Sequence, residues 1–146
     1  KWYYGMRVHI GTDPYYGFVH TIISTAANEA EGKVAPGLLR EDDTVVYGDA
    51  GYLKMDKYVT DGIDREYKIN RQRGTFKRHY GDDLAWAYEK EIEKRKSSVR
   101  CKVEYVFHIV KDIFRWRKLR YKGIHKNDCH ANLLFASANI YMLAMG

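Results

Sequence analysis

The first part of the chain alternates hydrophobic and polar residues in the pattern of β-strands. Residues 3–10 place an aromatic or aliphatic side chain at every second position, and residues 18–25 form a second run rich in β-branched residues. Asp13, Pro14 and Gly17 lie between the two runs, and these residue types favour tight turns. The pattern therefore predicts a β-hairpin.

The middle of the chain contains shorter apolar runs. Residues 26–43 hold small residues and a brief apolar stretch at residues 38–40, which we interpret as a short helix. Residues 44–47 form an apolar run that leads into a glycine-containing turn at residues 48–52, as a buried strand does at its end. A further strand is predicted at residues 66–69.

The second half of the chain has the periodicity of helices. From residue 84 to about residue 114, apolar side chains recur at spacings of three, four and seven, which predicts one or two long amphipathic helices. Residues 131–145 are strongly apolar and predict a final helix packed into the core. From this helix we expect four residues in the core: Phe135, Ile140, Tyr141 and Met142. Strands and helices together predict an α/β fold, and residues 1–146 have the length of a single domain.

Composition narrows the class of protein. Hydrophobic residues make up 45% of the chain, which is enough to form a core and argues against disorder. No apolar run approaches the roughly 20 residues of a membrane-spanning helix. Cys101 and Cys129 match no zinc or redox spacing, so we expect a reducing, cytoplasmic setting. His125, Cys129 and His130 are zinc-binding residue types, but a structural zinc site needs four spaced ligands and no second pair lies nearby.

The positive charge is concentrated in one part of the chain. The net charge is +6, but residues 1–64 carry 6 basic and 10 acidic side chains, whereas residues 65–126 carry 19 basic and 8 acidic ones. Such a positive segment attracts polyanions, and nucleic acid is the main polyanion of the cytoplasm. The alternative is a highly charged, solvated helical surface.

One basic stretch near the end of this segment is a candidate DNA contact. Residues 115–122 interleave basic side chains with Trp116 and Tyr121. Basic side chains neutralise phosphates, and aromatic rings can stack on exposed bases. The alternative is a solvated strand or loop whose apolar side packs on the core. The residues predicted to contact DNA are Arg115, Arg117, Lys118, Arg120 and Lys122.

Two carboxylates are candidates for chemistry. Asp49 follows a predicted strand directly, where functional groups of α/β sheets gather, although it could simply shape the turn. Glu104 interrupts an apolar run, and helical spacing places it on one face with Arg100 and Lys111. The alternative for Glu104 is an ordinary surface ion pair with Arg100.

These motifs, taken together, resemble the DDE class of insertion-sequence transposases, and most closely the group named for insertion sequence five. The helix signature of that group has an arginine, a glutamate after three residues and a lysine after six, which fits Arg100, Glu104 and Lys111. Ser97 stands where the signature normally opens with tyrosine. The resemblance also rests on residues 5–11, 48–52, 117–123 and 126–127 and on the region of Asn139.

The resemblance implies a ribonuclease H-like fold, a mixed sheet flanked by helices. It implies that three carboxylates bind Mg²⁺ (or Mn²⁺) for phosphodiester cleavage and strand transfer at insertion-sequence ends. Asp49 would be the second of these acids and Glu104 the third, with Arg100 and Lys111 beside Glu104. DNA would be the partner, the full enzyme would be a homodimer, and its location would be the bacterial cytoplasm, near the nucleoid and not in a membrane.

The chain departs from the family at the first catalytic aspartate. That residue belongs on the first, central strand of the fold, and no residue of this sequence matches it; Asp13 lies in the hairpin turn. We therefore expect a partial catalytic domain that lacks its first central strand and leaves two strand edges unpaired. The alternatives are a non-catalytic, transposon-derived DNA-binding protein and an inactive truncated fragment.

Overall fold

The structure is a computed structural model that describes residues 5–72 and 83–146. Four strands and three α-helices form its framework. In chain order these are β1 (Met6–Thr12), β2 (Val19–Ala26), α1 (Glu31–Leu38), β3 (Val45–Gly48), β4 (Glu66–Ile69), α2 (Asp83–His108) and α3 (Ile124–Met145). Two 3₁₀ turns follow β3, at Ala50–Tyr52 and Met55–Lys57, and a π-helical turn, Ile109–Ile113, continues α2.

The predicted hairpin is confirmed. β1 pairs antiparallel with β2, from Met6 opposite Ala26 to Gly11 opposite Thr21. The Asp13 carboxylate closes the turn by accepting the backbone N–H groups of Tyr15, Tyr16 and Phe18 at 2.7–2.9 Å. Partial burial opposes ionisation of Asp13, but these three donors outweigh it and lower the pKa of the carboxyl group.

The strands predicted at residues 44–47 and 66–69 are also confirmed, and they pair with each other in parallel. They form a second two-stranded sheet, separate from the hairpin. Within residues 5–72 and 83–146, no strand joins the two sheets into one. The α/β class is thus confirmed, and the ribonuclease H-like arrangement stays a prediction.

The core lies where α3 and the end of α2 pack on the hairpin. Val106 and Ile109 from the α2 side and Phe135 from α3 are fully buried, and Phe135 meets Phe107 edge-on at 5.5 Å. Tyr141 and Met142 pack against this cluster as predicted. Ile140 does not, since the residue is 69% exposed. It lies five residues after Phe135, about 140° around the helix at roughly 100° per residue.

Two helix positions predicted from the sequence were wrong. The short helix spans Glu31–Leu38 rather than residues 38–40, and it contains Pro36 and Gly37, which normally indicate a break. α3 begins at Ile124, earlier than the predicted residue 131, because its first two turns are polar and carry no apolar period. Among the helices of the described residues, none has both the length and the apolar character to cross a membrane.

Candidate active site and nucleic-acid interface

Asp49 lies at the end of β3 and begins the first 3₁₀ turn. Its backbone is extended, and its Oδ1 accepts the N–H of Gly51 at 2.9 Å, so the residue does shape this turn. The other carboxylate oxygen accepts no hydrogen bond from the part of the chain that the structure describes. A half-buried carboxylate held by one oxygen therefore keeps a second oxygen available for a ligand.

A second carboxylate, which sequence reasoning missed, lies against the same turn. A Cβ atom added to Gly51 would lie 1.5 Å from Glu31 Oε2 and 3.1 Å from Asp49 Oδ1. The absence of a side chain at Gly51 thus lets both carboxylates approach its backbone. Glu31 Oε1 accepts a hydrogen bond from Arg7 Nη1 at 3.0 Å, so this carboxylate is paired with a cation.

His9 ties this turn to the hairpin. Its side chain is buried, with Nδ1 3.0 Å from the Tyr52 hydroxyl and Nε2 3.1 Å from Thr25 Oγ1. Burial, helped by the charge of Arg7, lowers the pKa of His9. Burial and the nearby Glu31 and Asp49 carboxylates raise the pKa of Tyr52 far above its ordinary range. Both groups are therefore neutral at pH 7, and His9 packs inside the fold.

Arg100 lines the same two cavities as Asp49 and pairs with Glu104. Arg100 and Asp49 both line the cavity between β1 and β3, and both line a second cleft beside α2. Arg100 Nη2 donates to Glu104 Oε1 at 3.0 Å, so the arginine and glutamate share a helix face as the spacing predicted. The Glu104 side chain is 65% exposed, so its position costs little desolvation. That Asp49 and Glu104 share one ion stays a prediction.

Lys111 lies past the end of the regular helix. The α-helical hydrogen-bonding pattern ends at His108, and Phe114 donates to Ile109 O at 2.9 Å across five residues. The Lys111 ammonium lies over the Phe107 ring, 4.9 Å from its centroid. π-Helical turns of this kind are frequent at functional sites. Here the turn also interrupts the α-helical spacing from Arg100 to Lys111, on which the prediction for Lys111 rested.

Glu93 is another carboxylate beside Asp49 that the sequence motif did not select. It lines the second cleft and accepts hydrogen bonds from Asn70 Nδ2 at 2.9 Å and Lys96 Nζ at 2.8 Å. Partial burial opposes its ionisation, but the Lys96 and Asn70 bonds prevail and lower its pKa. Its helical spacing with Arg100 could have indicated it. Because its oxygens are engaged, Glu93 joins β4 to α2 rather than offering a free ligand.

The donor type at this site suits a hard divalent cation, since carboxylate oxygens are the groups that Mg²⁺ and Mn²⁺ prefer. The number of donors is incomplete. Within residues 5–72 and 83–146, no group of three or more histidine, cysteine, aspartate or glutamate side chains is arranged to hold a metal ion. Asp49 and Glu104 would therefore need a further ligand from elsewhere.

The predicted DNA-contacting stretch, residues 115–122, is a loop between the π-helical turn and α3; we call it the basic segment. Its Trp116 ring packs edge-on against His130 at 5.8 Å and Phe135 at 6.5 Å. This ring belongs to the core, so it is not available to stack on a base. Tyr121 meets His130 edge-on but remains half exposed.

Asn127 holds the basic segment against α3. The side chain is buried, its Nδ2 donates to the carbonyls of Tyr121 and Gly123 at 2.7 Å, and its Oδ1 accepts the N–H of Tyr121. The cationic side chains remain outside. Arg117 donates to Asp112 at 2.6 Å. The other four have no acidic side chain within ion-pair distance in the described part of the chain: Arg115, Lys118, Arg120 and Lys122.

The chain matches a known protein family. The family described as "Transposase DDE domain" matches residues 1–140, nearly the whole chain. No solved structure matches this chain.

Proposed function

Since the chain belongs to the transposase DDE domain family, we propose that it is part of the catalytic core of a metal-dependent transposase that cuts and joins DNA at insertion-sequence ends. The observation that carries this proposal is the position of Arg100, which lines one cavity together with Asp49 and bonds directly to Glu104. The spacing of Arg100, Glu104 and Lys111 favours the insertion-sequence-five group.

Each residue of this group has a physical task in the proposal. Asp49 and Glu104 would hold Mg²⁺ or Mn²⁺, which when bound stabilises charge on the attacking and leaving oxygens of a phosphodiester. Gly51 fixes one oxygen of Asp49 and leaves the other free. Arg100 orients Glu104 with one nitrogen and has further donors for a phosphate. Lys111 adds an exposed positive charge one turn beyond the helix end.

The first acidic ligand would come from a segment outside these residues. Carboxylates from the described residues form no group of three, whereas two closely spaced ions require several shared carboxylates. We further propose that the complete enzyme acts as a homodimer, because two DNA ends must be joined, and that it works on DNA at the bacterial nucleoid.

The basic segment would bind DNA through phosphates. Four exposed cations without acidic partners in the described residues are available for that contact, and the core position of Trp116 disfavours base stacking there. Phosphate contacts carry no sequence information by themselves. The segment would therefore supply affinity and orientation rather than recognition of the insertion-sequence end.

A second candidate is a non-catalytic DNA-binding protein derived from a transposon. The incomplete set of acidic ligands within the described residues favours it. The two functions differ in whether Asp49 and Glu104 bind one ion, which can be measured without any cleavage assay.

Mn²⁺ binding tests the proposal directly. Titration of Mn²⁺ into the ¹⁵N-labelled chain should broaden the amide signals of Gly51 and Glu104 together, because both would lie near one paramagnetic ion. Asp49→Asn should weaken this binding at least about tenfold, since even the loss of an outer-shell partner costs that much. Broadening centred on Glu93, or unchanged by Asp49→Asn, would contradict the assignment.

A further inference from the structure

The helix α3 has two opposite sides, and the fold covers one of them. Its inner side buries Ala131, Phe135 and Ala138 against the hairpin and the end of α2. At roughly 100° per residue, six other residues fall within an arc of about 80° on the outer side. All six are exposed, and we call them the outer stripe: His125, Cys129, Leu133, Ala136, Ile140 and Leu143. A helix with apolar side chains on both sides is normally covered on both, so the outer stripe needs a partner.

The spacing of the outer stripe is that of a helix seam. From Cys129 to Leu143 its members are four, three, four and three residues apart. This average repeat of about 3.5 residues keeps one side of a helix in contact with a neighbouring helix, as in coiled coils. A second copy of the chain offers the identical stripe, and a twofold axis brings identical surfaces together. The spacing therefore favours a second α3 as the partner.

The apolar part of the stripe is too small to hold two copies together by itself. Leu133, Ile140 and Leu143 are 66%, 69% and 72% exposed. At roughly 100 Å² of apolar surface for each such side chain, the three would bury about 200 Å² per copy. A stable interface of standard size buries about 800 Å² per partner. Pairing of two stripes therefore needs a further link.

The first two residues of the stripe have the geometry of a metal-binding pair. His125 and Cys129 are one helical turn apart and exposed, and Nδ1 of the imidazole lies 3.6 Å from Sγ of the thiol. Zinc bonds of roughly 2.0–2.1 Å to nitrogen and 2.3 Å to sulfur, at a tetrahedral angle, place two ligand atoms about 3.5 Å apart. Within residues 5–72 and 83–146 of one copy, no third metal-binding side chain joins the pair. One pair fills two of the four tetrahedral positions, and two pairs would fill all four.

We propose that two copies of the chain pair in parallel through their outer stripes, around one Zn²⁺ ion held by His125 and Cys129 of both copies. The arrangement is parallel because only then do both pairs lie at the same end of the seam. Each thiol releases its proton to solvent when the ion binds. Thiolate and imidazole ligands suit Zn²⁺, whereas Mg²⁺ and Mn²⁺ prefer carboxylates. This centre is therefore distinct in chemistry from Asp49 and Glu104.

The proposed pairing would bring the two basic segments together. The basic segment precedes α3, and Asn127 fixes it to the first turns of that helix, at the same end as His125 and Cys129. Repulsion between the cations of the two copies opposes pairing, which is a second reason why a metal link is needed. Adjacent basic segments suit a protein that holds two DNA ends. That use rests on the function proposed above, whereas the metal site does not.

Titration with Co²⁺ tests the metal site, because Co²⁺ replaces Zn²⁺ at tetrahedral sites and absorbs visible light when thiolates bind it. With a reductant present, the thiolate–cobalt absorption of the 146-residue chain should saturate at one ion per two chains, and Zn²⁺ should displace the Co²⁺. Cys129→Ala and His125→Ala should each weaken binding at least about tenfold, since even the loss of an outer-shell partner costs that much.

Cys101→Ala is the matched control for the metal site. Cys101 is also an exposed free cysteine on a helix, but Ser97 and Tyr105 stand one turn before and after it. This variant should bind Co²⁺ within about twofold of the unchanged chain. Absorption lost equally in Cys101→Ala, saturation at one ion per chain, or no thiolate–cobalt absorption at all would overturn the proposal.

Sedimentation velocity tests the pairing of the stripes. The chain should sediment as a dimer with Zn²⁺ and as a monomer after a chelator removes the ion. Ile140→Glu should raise the dissociation constant of the dimer about tenfold or more, because two carboxylates would face each other in the seam. Tyr88→Glu alters an equally exposed residue of α2, also at 69%, and should leave the constant within about twofold. A dimer that persists without the metal, or one that Ile140→Glu does not weaken, would show that the stripes do not pair around zinc.

Discussion

At the scale of single residues, the turn after β3 shows how a carboxylate can be held and still remain available. Asp49 uses one oxygen to fix its own turn. Glu31 reaches the same turn only because Gly51 has no side chain, and Arg7 balances its charge. Neutral His9 and Tyr52 then join the turn to the hairpin without adding charge. The position of Asp49 therefore depends on both β1 and α1.

His9 should make the stability of the chain depend on pH. Its pKa is lowered in the folded state, so between that value and about 6.5 the unfolded chain binds more protons. The free energy of unfolding should then fall as pH drops below about 6.5, by up to about 1.4 kcal/mol per pH unit for one proton. Urea unfolding at a series of pH values measures this slope.

Two histidine variants separate the contributions of His9 and His20 to this pH dependence. The pKa of His20 is also lowered, mainly by burial and against the charge of Asp43, so part of the slope belongs to it. His9→Gln should reduce the slope while His20→Gln leaves the His9 share in place. Carboxylates with lowered pKa values, such as Asp13, lose their contribution only near and below pH 4, outside this window. A slope unchanged in His9→Gln would contradict the assignment.

At the scale of elements, Asn127 fixes the basic segment to α3. Asn127→Ala would leave the backbone groups of Tyr121 and Gly123 without their partner. We expect it to lower the free energy of unfolding by about 2–4 kcal/mol, the range for several lost buried bonds. Asn132→Ala, on the exposed side of the same helix, should change it by no more than about 0.5 kcal/mol. If urea unfolding showed the same loss in the free energy of unfolding for both variants, Asn127 would not hold the basic segment to α3.

Salt dependence tests the basic segment as a phosphate contact. Replacing Arg117, Lys118 and Arg120 with alanine should flatten the log–log slope of DNA affinity against salt by up to about three units, at roughly 0.9 per phosphate. The Asp112 partner of Arg117 makes its share the smallest. A matched control removes three exposed cations from the acidic half of the chain: Lys33, Arg40 and Lys57. If both triple variants had the same slope, the basic segment would not lie at the interface.

The elements also show what sequence patterns can predict. The hairpin and the strands at 45–48 and 66–69 were predictable because β-branched and aromatic runs end at clear turn residues. The sequence could not show that β3 and β4 pair in parallel, because pairing depends on contacts between distant segments. α1 was misplaced because its Pro36 indicated a break, and the polar start of α3 was missed because Asn127 is buried by hydrogen bonds rather than by hydrophobicity.

At the scale of the whole molecule, two small sheets, the cavity between them and α2 meet at Asp49 and Arg100. The motif spacing predicted Arg100 beside Glu104, because helix geometry is local. It could not predict Glu31 and Glu93 near Asp49, since both come from elements that no motif links to it. The prediction for Lys111 also required a regular α-helix as far as that residue. The backbone has already widened into a π-helical turn there.

We propose that Asp49 and Glu104 are catalytic carboxylates of a transposase core, completed by an acid from another strand. The most direct measurement is Mg²⁺-dependent cleavage of DNA that carries the insertion-sequence ends. It compares the 146-residue chain with a version extended at its N-terminus by the family's first strand and aspartate. The chain alone should not cut, and the extended protein should. In that protein Asp49→Asn and Glu104→Gln should each lower the rate about 10²-fold or more, whereas Glu93→Gln should cost less than about tenfold. Cleavage by the extended protein that survives both Asp49→Asn and Glu104→Gln would show that these two carboxylates are not catalytic.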